Sequence, residues 1–113
     1  MLARIYNFEE INEEGYKIRE LSLIDDGSAR IAQALSAVVA ENPLRKALAV
    51  VADLPAQVVL ADALKRLRID SVSVYVDDDD DTQQCKIDEA INAHGRLVLI
   101  VCDELILSDK TTQ

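Results

Sequence analysis

Two short runs, Ala47–Ala52 (ALAVVA) and Leu97–Cys102 (LVLIVC), are apolar at every position. A strand with one wet face alternates apolar and polar residues, whereas a strand that is apolar throughout must be covered on both faces. Such strands need helices on either side of their sheet, and the rest of the chain supplies candidates. Ser28–Glu41 places Ile31, Leu35, Val38 and Val39 three and four residues apart. Ala56–Leu67 does the same with Val59, Leu60, Ala63, Leu64 and Leu67, and Thr82–His94 more sparsely with Ile87, Ala90 and Ile91. Each is the pattern of a helix with one apolar face. Tyr16–Ile24 (YKIRELSLI) and Ser71–Val76 (SVSVYV) read as further strands, the second alternating and so less deeply buried on one face.

The order strand, helix, strand, helix, strand, helix, strand predicts consecutive right-handed βαβ units. The expected fold class is α/β: a small three-layer sandwich, Rossmann-like in its layering, with a mostly parallel sheet and an N-terminal antiparallel strand at Leu2–Phe8. Glu9–Gly15 would turn that strand back onto Tyr16–Ile24. Ala47–Ala52 and Leu97–Cys102 should be interior strands, with Ser71–Val76 and the hairpin at the edges. Helix ends agree with this reading. Asp26-Gly27-Ser28 offers a cap, Asn42-Pro43 a stop, Asp53 a capping acid before Pro55, and Gly95 a C-terminal glycine. At 113 residues, the span 1–113 suits a single domain.

The 21 Asp and Glu against 12 Lys and Arg give a formal charge of −9, a field that repels nucleic-acid phosphates and anionic membranes. Direct nucleic-acid binding and membrane association are therefore not expected. No apolar run approaches the roughly 20 residues of a membrane span. The opening MLARIYNFEE lacks the basic start and apolar run of a secretory signal, so a cytoplasmic location is expected. Cys85 and Cys102 are not in a CxxC pair and read as reduced, buried thiols. Neither GxGxxG nor GxxxxGK[ST] is present, the three glycines cannot build a phosphate cradle, and GxSxG is missing too. His94, the only histidine, falls in the last turn of its helix, where partial positive charge suits the dipole. Lys46, Lys65, Arg66 and Arg68 are expected at helix ends or outer faces, solvated or paired with acids.

Acids follow every strand expected to be parallel: Asp25 and Asp26, then Asp53, then Asp77–Asp81, then Asp103 and Glu104. In an open parallel sheet those ends share one edge, where such folds bind ligands. Helix capping accounts for an aspartate at each of these places. It does not require five in succession, whose mutual repulsion a basic surface or a cation would relieve. The function expected from these features is a small binding or regulatory module without a cofactor. Its acidic surface, Asp77, Asp78, Asp79, Asp80, Asp81, Asp103 and Glu104, would dock a basic protein partner. The alternative is a Mg²⁺-dependent phosphoryl-transfer enzyme or phospho-acceptor switch, with Asp25, Asp26, Asp53 and Asp77 at the metal edge. A homodimer through a sheet edge or a helix face is a further expectation.

The stretch LSLIDDGSARIAQAL resembles the opening of a response-regulator receiver domain. That resemblance implies Mg²⁺-holding roles for Asp25 and Asp26 and a phosphoacceptor role for Asp77. It covers about fifteen residues. The remainder departs from the family: no fifth parallel strand ends in lysine, no Ser or Thr ends the fourth, and an extra strand precedes the first.

Overall fold

A computed structural model of the chain describes residues 1–12 and 15–102, with only the backbone described for 8–12 and 15–18. Along it run β1 (Leu2–Asn12), β2 (Gly15–Asp25), α1 (Ser28–Glu41), β3 (Lys46–Val51), α2 (Leu54–Arg66), β4 (Asp70–Ser73), α3 (Asp80–Asn92) and β5 (Leu97–Val101). Among the described residues no helix is long and apolar enough to cross a membrane.

The strands form one five-stranded sheet in the order β2-β1-β3-β5-β4. β3 and β5 are interior, and β2 and β4 are the edges, as the residue patterns require. The expected mostly parallel sheet is corrected to a mixed one. β1 pairs antiparallel with β2 and also with β3, while β3–β5 and β5–β4 are parallel. The hairpin keeps its second strand beside its first, so β1 takes a place inside the sheet and separates β2 from β3. The unit β2-α1-β3 thus joins strands that share a direction without touching. True neighbouring parallel pairing is confined to the half of the sheet built by β3, β5 and β4.

Side-chain alternation sorts the core into two layers. Ala3, Ile5, Ala47, Ala49, Val51, Val98 and Ile100 meet Ile31, Leu35 and Val39 of α1 and Leu60 and Leu64 of α2. On the opposite face, Tyr6, Leu48, Leu99 and Val101 pack with Ile87 and Ala90 of α3. From Ala47 onward β3, and all of β5, are packed in both layers, which is why these runs hold only apolar residues.

Several boundaries move for identifiable reasons. α2 begins at Leu54 because the Asp53 carboxylate accepts from Ala56 N–H at 2.9 Å and Pro55 fits the first turn. Its buried stripe is Gln57, Leu60, Ala63 and Leu64, so the expected inward positions Val59 and Leu67 are instead exposed. β4 ends at Ser73, although Val74 still donates to the Ile100 carbonyl at 3.0 Å, and Val76 is 57% exposed. α3 runs over Asp80–Asn92, two residues earlier at each end than Thr82–His94. His94 lies just past it, exposed. Cys85 is exposed on α3 and Cys102 half-buried, so the expectation of two buried thiols fails for Cys85.

Lys46 also departs from its expected place on an outer surface. It is 5% exposed, and its ammonium donates to the carbonyls of Leu44 at 3.2 Å and Gly95 at 2.8 Å, tying the start of β3 to the segment entering β5. Burial, with the neighbouring Arg45 charge added, lowers its pKa. Arg66 does pair with an acid, Asp62, at 3.0 Å.

Candidate functional site

The C-terminal ends of β2, β3, β4 and β5 lie on one side of the sheet, because all four strands share a direction. Sharing a side does not bring their acids together. Asp25 and Asp26 leave β2 at one sheet edge and Asp77 follows β4 at the other. Four inter-strand spacings of about 4.8 Å separate those edges, or roughly 19 Å. A cation held at 2.0–2.6 Å cannot bridge that span. Among the described residues no three of Asp, Glu, His and Cys gather closely enough to hold a metal ion. The metal edge of Asp25, Asp26, Asp53 and Asp77 is therefore not assembled, and the receiver-like roles of Asp25, Asp26 and Asp77 fall with it.

These acids have local partners instead. Asp25 lies 3.6 Å from the chain's amino terminus, Asp26 accepts from Gly27 N–H at 2.7 Å, and Asp53 caps α2. Asp103 and Glu104 lie outside the described residues.

The aspartate run divides into distinct roles. Asp79 is the N-cap of α3, accepting from Thr82 N–H at 2.7 Å. Asp80 and Asp81 occupy the helix's first turn, where negative charge meets the positive end of the dipole. Asp78 turns inward: its Oδ2 accepts from Tyr75 N–H at 3.0 Å and from the Lys86 ammonium at 2.6 Å. Asp77 and Asp81 are exposed and take no part in this capping. Asp78 and Asp79 thus leave the set of acids available for recognition, because their oxygens already serve the fold.

The loop after β4 is held from both faces of the sheet. The Ser73 carbonyl accepts from Lys86 at 3.1 Å, the Val74 carbonyl from Gln57 of α2 at 3.0 Å, and the Tyr75 carbonyl from Gln83 of α3 at 3.1 Å. Lys86 also sits 4.4 Å above the Tyr75 ring centroid. Three consecutive carbonyls leaving an edge strand therefore receive donors from side chains, replacing the strand neighbour they lack. Sequence patterns did not single out Gln57, Gln83 or Lys86. The available signal was their helical spacing, since Gln83 and Lys86 are three apart and share a side of α3.

The outward side of α3 is acidic. Asp81, Gln84, Cys85, Asp88, Glu89 and Asn92 line an open depression of about 530 Å³ that contains no basic side chain. The nearest base on the helix, Lys86, is directed at Asp78 and the loop carbonyls.

The Lys86 hydrogen bond, seconded by the Tyr75 N–H, holds the Asp78 carboxyl below its ordinary range, and the Thr82 backbone N–H does the same for Asp79. A depressed carboxylate pKa contributes stability above the unfolded value of about 3.9, and this is lost as pH falls through the folded value. Acidification below about pH 4 should therefore free the start of α3 and the loop before helix packing is lost. Amide exchange at Thr82 and Tyr75 should quicken ahead of that in β5. Simultaneous loss of protection at all three would show that the two aspartates do not secure the loop.

Comparison with known proteins gives no match, whether with a family model, a curated protein or a solved structure.

Proposed function

We propose that the chain is a small acidic binding module that docks a lysine- or arginine-rich protein segment along the outer side of α3 and the loop before it. Asp77 and Asp81 at the helix start, with Asp88 and Glu89 two turns on, form the surface. The observation that carries this reading is the acidic depression itself: one open strip of helix presents three carboxylates and no cation. Isolated surface ion pairs contribute little each, so such a surface acts through its summed field, raising the association rate and selecting the sign of the partner.

The test uses a lysine-rich peptide as probe. Asp77→Asn, Asp81→Asn, Asp88→Asn and Glu89→Gln combined should shift the melting temperature by only a few degrees, since relief of like-charge repulsion offsets the loss of Asp81's charge at the positive end of the dipole. Association should slow about tenfold and its salt dependence flatten. Peptide kinetics unaffected by the four changes would refute the proposal. Asp78 and Asp79 are kept intact in this variant, because changing them would confound lost charge with a loosened loop.

A further inference from the structure

The two faces of the sheet are covered unequally. On one, α1 and α2 meet Ala3, Ile5, Ala47 and Ala49 with the inner side chains of β5. On the other, α3 is the one helix among the described residues, and it lies chiefly over β4 and β5. The β1–β2 half of that second face has no described helix above it.

Register shows which side chains this leaves uncovered. Ala3 and Ile5 belong to the layer under α1, so alternation turns Leu2, Arg4 and Tyr6 toward the α3 side. Ile24, opposite Ala3, packs with the α1 layer, so Leu23 also faces the α3 side. Leu23 pairs with Arg4, Arg4 with Val50 and Val50 with Val101, which makes one row across four strands from edge β2 to interior β5. At its β5 end Val101 is fully buried, while Val50 is half-buried and Leu23 is 52% exposed. Leu2, 50% exposed, is a diagonal neighbour of Leu23, close enough for the two side chains to meet. Single exposed leucines need no explanation. These two differ because they continue a core layer whose cover stops partway across the sheet.

The chain itself supplies a segment that fits. β5 ends at Val101, in that same row, and the sequence goes on through Cys102 to DELILSDKTTQ. Leu105, Ile106 and Leu107 are the apolar residues of 103–113, set in an otherwise polar stretch. From β5 to β2 is three inter-strand spacings, about 14 Å, and an extended chain advances about 3.3 Å per residue. Leu105 is therefore within reach of β1, and Leu107 of β2. Arg4, exposed in the middle of the row, carries the charge opposite to Asp103 and Glu104, which lead the triplet. The competing apolar ground is on α2, where Leu54 and Val58 are 53% and 57% exposed. Asp53 and Asp62 flank those two residues and would repel the same acids.

We infer that residues 103–113 dock back on the sheet, laying Leu105, Ile106 and Leu107 across β1 and β2 beside α3, with Asp103 and Glu104 over Arg4. Only a few residues link the triplet to β5, so it meets the face at an effective concentration on the order of millimolar, and a modest contact area suffices. Both faces of the sheet are then covered across its width. Asp103 and Glu104, matched by Arg4, stand apart from the acidic strip of α3.

Methyl-labelled NMR of the full chain tests the inference. Nuclear Overhauser contacts are expected from the methyls of Leu105, Ile106 and Leu107 to those of Leu2, Leu23 and Val50. Leu105→Ser with Leu107→Ser should abolish them, shift the Leu2 and Leu23 resonances and increase binding of an apolar-surface dye. Arg4→Glu should weaken the same contacts, and adding Asp103→Lys with Glu104→Lys should restore them, a recovery that a misfolded variant could not show. Contacts from the triplet to Leu54 and Val58, or to no methyl of the folded domain, would overturn the inference, as would a charge swap that restores nothing. Contacts seen only between differently labelled copies would overturn it too, because the occupant would then be a second chain.

Discussion

Gln57→Glu should destabilise the protein by about 3–5 kcal/mol at neutral pH, the cost typical of an uncompensated buried charge. Gln57 is 1% exposed, and its amide nitrogen donates to the carbonyls of Val74 at 3.0 Å and Ile100 at 3.1 Å. Among the described residues its own oxygen has no partner. A carboxylate of the same shape would set an acceptor against two carbonyls and bring a charge into a site lacking a donor. Gln57→Leu removes the orphaned oxygen but leaves the Val74 carbonyl without its donor, and should cost about 1–3 kcal/mol. The two variants also differ in pH dependence. Burial raises the introduced carboxyl's folded pKa above its unfolded value of about 4.3, so the Glu variant regains stability as pH falls from 7 toward 5, when a protonated carboxyl can donate to one carbonyl. The Leu variant should show no such recovery. Urea unfolding of both at pH 7 and pH 5 measures this, and a Glu variant as stable as the Leu variant at pH 7 would show that the amide does not clamp β4 to β5.

That clamp shows where sequence patterns lose sight of the fold. ALAVVA and LVLIVC disclosed the interior strands because burial on two faces leaves no alternative composition. Asp53 before Pro55 disclosed the start of α2 because capping is local chemistry. The place of β1 within the sheet was not legible. A hairpin pairs its two strands whichever of them then meets the rest of the sheet, and nothing in Leu2–Phe8 or Tyr16–Ile24 decides between them. The mostly parallel sheet was the casualty.

The aspartate run was half legible for a related reason. Composition identified a capping acid and a surplus of negative charge. It could not show that Asp78 turns inward, because that depends on Lys86 one helical segment away and on Tyr75 having an N–H that no strand neighbour claims. Asp25, Asp26 and Asp77 looked like a shared site only while strand order was unknown. Once β2 and β4 are opposite edges, distance alone separates them.

Leu60→Ala should cost about 2–5 kcal/mol, whereas Val59→Gln, one residue away, should change stability by no more than about 0.5 kcal/mol. Hydrophobic spacing put both side chains in the inward stripe of α2. The helix is rotated so that Leu60 is fully buried and Val59 is 47% exposed, with the amide of Gln57 taking the inward place one turn before. The rotation goes with the place where β4 and β5 part: the Val74 carbonyl, past the end of β4, and the Ile100 carbonyl of β5 both receive the Gln57 amide. A polar residue therefore belongs to the buried face while two valines, Val58 and Val59, face outward. Leu60→Ala leaves a cavity between α2 and the sheet that close-packed neighbours can only partly fill, which is the origin of its large cost. Val59→Gln exchanges one exposed side chain for another of good helix propensity. Thermal unfolding of the pair separates the two orientations: with about 4–8 °C expected per kcal/mol in a domain this size, the first should melt at least 8 °C lower and the second within about 4 °C of the parent. Comparable losses at both positions would place Val59 in the core and remove Gln57 from its contact with β4 and β5.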